Sequence, residues 1–201
     1  MKGLGLTGII LAGGKSSRMN LDKASLVCGD RPLIEIVAAE LLKVCSKLII
    51  VRGDNNYQVH EALSVPDLIP EYGPLGGIYT GLTYSESNYN MIVACDMPKV
   101  SAPLVQFLAD RAKGYQVVVP CQNGYYEPLA AIYHKSCLPI LINAIEQGVH
   151  KVTACYPQLK VNPIAEEELA NELGLQNLFL NLNTPHEWEL YRRNHIKNER
   201  K

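Results

Sequence analysis

The sequence predicts an α/β fold: a single domain built on a mostly parallel, twisted sheet flanked by helices. Apolar runs of strand length alternate along the chain with segments of helical period. The runs TGIILA (7–12) and MIVAC (91–95) are near-continuous rather than alternating in polarity, as strands read when both sheet faces are covered. The residues that could carry chemistry stand directly after such runs, and ligands of parallel sheets bind beyond the carboxyl ends of the strands.

Taken in order, TGIILA is the buried first strand, and PLIEIVAAELLKVC (32–45) is a helix with Pro32 in its opening turn, where a missing N–H is harmless. LIIVRG (48–53) is a second strand, and a short helix is expected around 56–63 before VPDLIP. EYGPLGG (71–77) is a cluster of breakers, followed by IYTGLTY in helical period. MIVAC ends on Asp96, Ser101 is the expected cap of a helix running to Arg111, and YQVVVP (115–120) is a further strand. Asn123-Gly124 signals a hairpin turn, and YYEPLAAIY after it is a strand weakened by Pro128. CLPILINAIEQG is helical as far as Gly148, KVNPI is a weak strand, and AEEELANELG is a charged helix stopped by Gly174. FLNLN (179–183) gives a last short strand, Thr184-Pro185 opens a helix through Trp188 and Tyr191, and KNERK is a solvated tail. Without repeats or a linker, residues 1–196 are expected to form the one domain and 197–201 the tail.

The chain of 201 residues carries 19 Lys and Arg against 20 Asp and Glu, a net charge of −1. That balance argues against a general nucleic-acid binder, which needs a basic excess to release counterions, so an anion site must be a local cluster. Hydrophobic residues make up 47% of the chain, enough for a substantial core. Cys28, Cys45, Cys95, Cys121, Cys137 and Cys155 form no Cys-x-x-Cys pair and have no histidine at metal-ligand spacing. Buried, reduced thiols in a cytosolic protein are expected, rather than zinc or a disulfide framework. The opening run GLGLTGIILAGG is broken by glycines and lacks a signal-peptide cleavage site, and no stretch approaches the roughly 18 apolar residues of a membrane span. A cytoplasmic protein is expected.

Chemistry begins after the first strand, in GIILAGGKSSRMNLDKA (8–24). Adjacent glycines expose backbone N–H groups to a phosphate, and Lys15, Arg18, Lys23 and Arg31 offset its charge. Neither common phosphate loop fits. A Walker A loop would put its first glycine at position 9, which is Ile9, and Gly-x-Gly-x-x-Gly is absent. On local charge alone, a solvated basic loop stays open as an alternative.

The segment as a whole is more specific. LAGGKSSRMNLDKA, with Pro32-Leu33 following, resembles the motif of the molybdenum cofactor guanylyltransferase family, the MobA-type nucleotidyltransferases. That motif runs Leu-Ala-Gly-Gly, a variable residue, a small residue, Arg-Met, then Asp-Lys-Ala. Four further segments resemble the family in the same order. VPD (65–67) is similar to its nucleotide-binding aspartate segment and GPLGGIYTGL (73–82) to its Gly-Pro-Leu-x-Gly loop. ACDMP (94–98) is similar to its metal-binding Cys-Asp-x-Pro, and NLNTPHEW (181–188) to its Asn-x-Asn-Thr-Pro. Asn20 departs from the glycine common after Arg-Met, and VHKVTACYP (149–157) stands where relatives carry a Gly-x-Arg-rich stretch near the pterin.

The resemblance implies a Rossmann-like nucleotidyltransferase fold. It implies GMP transfer from GTP to the terminal phosphate of molybdenum-molybdopterin, with release of pyrophosphate, in molybdopterin guanine dinucleotide biosynthesis. Mg²⁺ is the implied cofactor; other cofactor-biosynthesis proteins and recipient molybdoenzymes are the implied partners, with no nucleic acid and no membrane. Leu11, Ala12 and Gly13 would hold the nucleotide through backbone groups, while Arg18 and Lys23 would be catalytic cations on the phosphates. Asp67 and Asp96 would bind nucleotide, Asp96 would also act in catalysis and hold the metal, and Asn181 and Asn183 would contact pyrophosphate or the metal's shell. Plainer roles stay open: a surface ion pair for Arg18, a turn closed by Asp67 between Pro66 and Pro70, and helix caps at Asp96 and Asn183. The attacking phosphate is already anionic, so no histidine base is needed, and His60, His134, His150, His186 and His195 form no constellation. Cys95 reads as an inert strand thiol rather than a nucleophile. Alternatives are a sister enzyme using CTP or another acceptor, whose members read Leu-Ala-Ala-Gly in place of Leu11 to Gly14, and a non-catalytic nucleotide-binding protein.

Overall fold

The computed structural model describes residues 5–13, 23–28, 30–55, 57, 59–174 and 189. Its strands are β1 (Leu6–Ala12), β2 (Val27–Cys28), β3 (Arg31–Pro32), β4 (Lys47–Arg52), β5 (Ala62–Pro66), β6 (Tyr89–Ala94), β7 (Val117–Gln122), β8 (Tyr125–Tyr126), β9 (Ala130–His134) and β10 (Val161–Ala165). The helices are α1 (Leu33–Leu42), α2 (Pro74–Tyr84), α3 (Ala102–Asp110), α4 (Leu138–Glu146) and α5 (Glu166–Leu173). One sheet has the order β10-β7-β9-β6-β1-β4-β5, with β8 beside β7, and β2 with β3 forms a separate ribbon. β6, β1, β4 and β5 run parallel to one another, as do β10 and β7. β9 runs against both β6 and β7.

The pleat explains the layers. In β1, Leu6 and Ile10 join the core beneath α1, α3 and α5. Ile9 and Leu11 join the core beneath α2, α4 and the 3-10 turn Val152–Gln158. Both faces are covered, so the central strands must be apolar throughout, and Ile9 and Ile10 are wholly buried. From β1 the chain crosses through α1 to β4 on one side, and it later returns through α2 to β6 on the other. That reversal makes the carboxyl end of β1 the switch point where such sheets hold ligands.

Several expectations need correction. The helix expected around 56–63 does not form among its described residues: the chain turns at His60 and Glu61, and ALSVP (62–66) pairs with β4 as an edge strand, its Leu63 exposed and its Val65 buried. Five residues with one buried side chain leave too little pattern to separate the two states. The breaker cluster is also not a loop, because Pro74 to Gly77 form the first turn of α2. Its glycines permit close packing. A Cβ on Gly76 would lie 2.1 Å from the Ile69 carbonyl oxygen, and one on Gly81 would lie 2.5 Å from Ile9 Cγ2. Ser101 occupies the N-cap of α3 without making a side-chain cap bond. The Glu40 carboxylate reaches across from α1 and accepts the Ala102 N–H at 2.9 Å instead. α1 ends at Leu42, short of the expected 45, as the Cys45 N–H bonds the Leu41 carbonyl and the chain turns into β4.

YYEPLAAIY is not one strand but two, β8 and β9, parted by Glu127–Leu129 around Pro128. Other expectations match the structure. Asn123 and Gly124 take φ of 51° and 78°, the double-positive turn that suits a tight hairpin. Gly174 ends α5 in the left-handed region. KVNPI forms β10, so both edge strands of the sheet contain a proline, Pro66 and Pro163. No disulfide joins the six cysteines; four are buried, while Cys95 and Cys121 are half-buried. Burial pushes the Cys45 and Cys137 thiols up to about 12. The expected final strand at 179–183, the helix from Thr184 and the tail lie outside the described residues.

Replacing Gly81 with Ala should lower stability by about 1–3 kcal/mol, the usual cost of overpacking. The check is a lower urea midpoint at unchanged slope, set against Gly5→Ala, where a Cβ meets nothing within 4 Å.

Candidate functional site

Four strands deliver their last residues to one edge. Gly13 follows β1, Gly53 follows β4, Asp67 follows β5 and Asp96 lies just beyond β6. Register aligns Leu11 with Ala94, Ala12 with Arg52, and Arg52 with Pro66. Two backbone bonds extend the pairing past the strands: Cys95 N–H to the Leu11 carbonyl at 3.1 Å, and Asp67 N–H to the Arg52 carbonyl at 2.9 Å. Strand spacing puts the β6 and β5 ends about 14 Å apart, long enough to lay a nucleotide across.

Gly13 has a structural reason to be glycine. A Cβ there would lie 3.1 Å from the Gly53 nitrogen and 3.4 Å from the Arg52 carbonyl carbon, so two main chains meet at this point. Leu11 is buried, its side chain under α2, and Ala12 is half-buried. These residues can offer a ligand only backbone groups.

Asp67 closes the turn its residue type predicts. Its Oδ1 accepts the Ile69 N–H at 3.1 Å and the Thr80 hydroxyl at 2.7 Å, while Thr80 Oγ1 accepts the Leu68 N–H at 3.0 Å. Thr80 is fully buried in α2, so Asp67 pins its loop to that helix. Both bonds fall on one carboxylate oxygen, which leaves Oδ2 for another partner.

Asp96 lies half-buried in the turn after β6, with Met97 and Pro98 buried behind it. The Met97 N–H bonds the Ala94 carbonyl at 3.2 Å. It caps no helix, since α3 starts at Ala102. No group of three His, Cys, Asp or Glu that could hold a metal occurs among the described residues. One hard carboxylate suits Mg²⁺, which takes one or two carboxylates and completes its shell with phosphate oxygens and water. Lys23 opens a 3-10 turn over Lys23–Ser25. Its side chain, with Lys15, Arg18, Asn181 and Asn183, lies outside the described residues.

Two residues carried no signal beyond strand position. Arg52 ends β4 at the same edge; its Nη1 donates to the Gly53 carbonyl at 3.3 Å. Its Nε is buried and has no hydrogen-bond partner among the described residues, a state that costs about 1–3 kcal/mol. Glu127 belongs to the half-buried Glu127–Leu129 segment that the reversed β9 brings to this edge, where the Leu129 carbonyl accepts the Ala94 N–H at 3.0 Å. Burial raises the Glu127 carboxyl above its ordinary range. The segment is anchored from below: the buried Tyr133 hydroxyl donates to the Pro128 carbonyl at 3.0 Å and stands 2.9 Å from the Tyr156 hydroxyl. Tyr126 meets Tyr156 edge-on, and His150 stacks on Tyr72 with centroids 4.5 Å apart.

Two variants separate fold from chemistry at Asp67. Asp67→Asn keeps an oxygen for Thr80 and the Ile69 N–H and should denature within about 0.5 kcal/mol of wild type. Asp67→Ala orphans both and should cost about 1–3 kcal/mol in urea titrations. Glu127 gives a pH test. Its folded pKa exceeds its unfolded value, so it lowers stability as pH rises through the carboxylate range. Glu127→Gln should therefore raise the melting temperature at neutral pH, and the gain should vanish under acid conditions.

Comparison with known proteins gives the site a context. The family model of the MobA-like NTP transferase domain matches residues 8–161, which include Gly13, Arg52, Asp67, Asp96 and Glu127. A relative from Carboxydothermus hydrogenoformans, named probable molybdenum cofactor guanylyltransferase, is 38% identical over 184 residues, covering 92% of this chain and 93% of its own. Another of that name, from Pelotomaculum thermopropionicum, is 37% identical over 180 residues, covering 89% and 88%. The crystal structure of molybdopterin-guanine dinucleotide biosynthesis protein A from Archaeoglobus fulgidus superposes with a TM-score of 0.81 at 25% identity, covering 95% of this chain and 99% of its own. Family model, sequence relatives and superposed structure agree, and the chain belongs to the family of MobA-like NTP transferases.

Proposed function

We infer that this chain transfers GMP from GTP to the terminal phosphate of molybdenum-molybdopterin in the synthesis of molybdopterin guanine dinucleotide. A phosphate oxygen of the acceptor forms a bond to the α-phosphorus, the bond from that phosphorus to the β-phosphate bridge breaks, and pyrophosphate leaves with the electron pair. The observation that carries this reading is the convergence of Gly13, Asp67 and Asp96 on one edge at the switch point, in a chain whose relatives bear the guanylyltransferase name.

Each residue has a role in that reaction. The backbone at Leu11, Ala12 and Gly13 supports the nucleotide, and Asp67 uses its second oxygen on it. Lys23 and Arg18 neutralise phosphate charge, with Asn181 and Asn183 on the pyrophosphate or the metal's waters. Asp96 would hold Mg²⁺, which when bound neutralises charge on the phosphates. The acceptor lies beyond Asp96 from Asp67, toward Glu127, Tyr125 and Tyr126, where the hairpin leaves Tyr125 76% exposed. No helix among the described residues is long and apolar enough to cross a membrane; we place the enzyme in the cytoplasm, with residues 1–196 as its domain and 197–201 as a tail.

The test incubates purified protein with molybdopterin-loaded carrier, Mg²⁺ and GTP, CTP or ATP, scoring pyrophosphate. GTP should be the substrate; a preference for CTP would move the chain to a sister activity. Asp96→Asn should keep a near-native melting temperature and lose turnover that added Mg²⁺ does not restore. Lys23→Ala should lower turnover about 10²–10³-fold at saturating GTP, the usual loss of one preorganised electrostatic contact. Near-normal Mg²⁺-dependent turnover in Asp96→Asn would place the metal elsewhere.

A further inference from the structure

We propose that Arg52 reads the base: its guanidinium donates to the O6 and N7 acceptors of guanine. The inference rests on the guanylyltransferase reading and extends it to a residue that reading does not use.

Position comes first. Arg52 lies between Ala12 of β1 and Pro66 of β5. Its carbonyl holds the Asp67 N–H, and the main chain beside it touches Gly13. Strand alternation puts it on the sheet face of Leu48 and Ile50, the face covered by α1. Its main chain thus stands between Gly13 and Asp67, the two residues that the proposed function sets on the nucleotide.

Its bonding state comes second. An arginine kept for structure is ordinarily paired with a carboxylate or carbonyls along its whole fork. Arg52 forms no ion pair among the described residues. Among the described residues only Nη1 is engaged, by the carbonyl of the next residue, and the opposite edge of the guanidinium begins with the orphaned Nε–H. That unmet donor favours reorientation toward an acceptor when one arrives.

The identity of the acceptor follows from the layout. Asp96 follows β6, on the other side of β1, about 10 Å from the β4 end by strand spacing. Phosphates gathered at Asp96 leave the far end of the nucleoside over β4. Guanine offers two adjacent acceptors that match a planar fork, whereas adenine presents an amino group in place of O6.

The experiment measures binding of GTP, 7-deaza-GTP and ATP, with Mg²⁺, to wild type, Arg52→Lys and Arg52→Ala, alongside their melting temperatures. The deaza analogue lacks N7 and nothing else that matters to the phosphates. Wild type should bind GTP about 10- to 100-fold more tightly than 7-deaza-GTP. Arg52→Ala should bind the two equally and leave ATP affinity unchanged, and Arg52→Lys should recover only part of the difference. Equal binding of GTP and 7-deaza-GTP by wild type overturns the proposal without any variant. So does a loss in Arg52→Ala that is the same for GTP, 7-deaza-GTP and ATP, which would assign Arg52 to phosphates or to folding. Failure of wild type to bind GTP at all would instead sink the guanylyltransferase reading.

Discussion

β1 pairs with β4 on one side and β6 on the other along its length, while α1 and α2 press its two faces. Such a strand leaves no room for error in side-chain size. Where Leu41 and Leu48 close on it, the residue is Gly8, whose added Cβ would sit 3.1 Å from either side chain. Where α2 closes on Ile9, the helix supplies Gly81. Bringing helix and strand this near fixes where the main chain leaves β1, and hence where Gly13 meets Gly53. The positions of Arg52, Asp67 and Asp96 are all set from that contact outward, through the Arg52–Asp67 and Leu11–Cys95 backbone bonds.

The reversal of β9 matters as much to the other half of the edge. A parallel strand enters the sheet at the opposite end from the ligand, so its incoming loop is remote from chemistry. Because β9 runs backwards, its incoming loop, Glu127 to Leu129, arrives beside the β6 end. The buried Tyr133 and Tyr156 hydroxyls then have a clear use. They satisfy each other and hold the Pro128 carbonyl, so a polar loop is fixed without an ion pair. Burial raises both phenols above their ordinary range, which keeps them neutral hydrogen-bonding groups.

Much of this was legible in the sequence because apolar runs such as TGIILA and MIVAC can satisfy only a strand buried on both faces. The residue after each run therefore stands at the carboxyl edge of the sheet, as Asp96 does beyond β6. β5 was not legible, since an edge strand of five residues buries too little to show a period. Gly76 reads as a breaker because it answers to Ile69, a partner that local propensity does not contain. Ser101 met the pattern of a cap, but Glu40 reached the vacant N–H from another helix. Arg52 gave no sequence signal at all. Its interest lies in an unmatched donor, a property of the packed chain.

The two prolines of the outer strands have a consequence for how the protein lives in solution. An open sheet ends in rows of unpaired main-chain groups, which invite a strand from a neighbouring molecule. Pro66 on β5 and Pro163 on β10 each delete a donor from such a row. Their rings also crowd the approach of a second backbone. The sheet can thus stay open at both ends, as its crossover topology requires, while offering a poor template for amyloid-like growth.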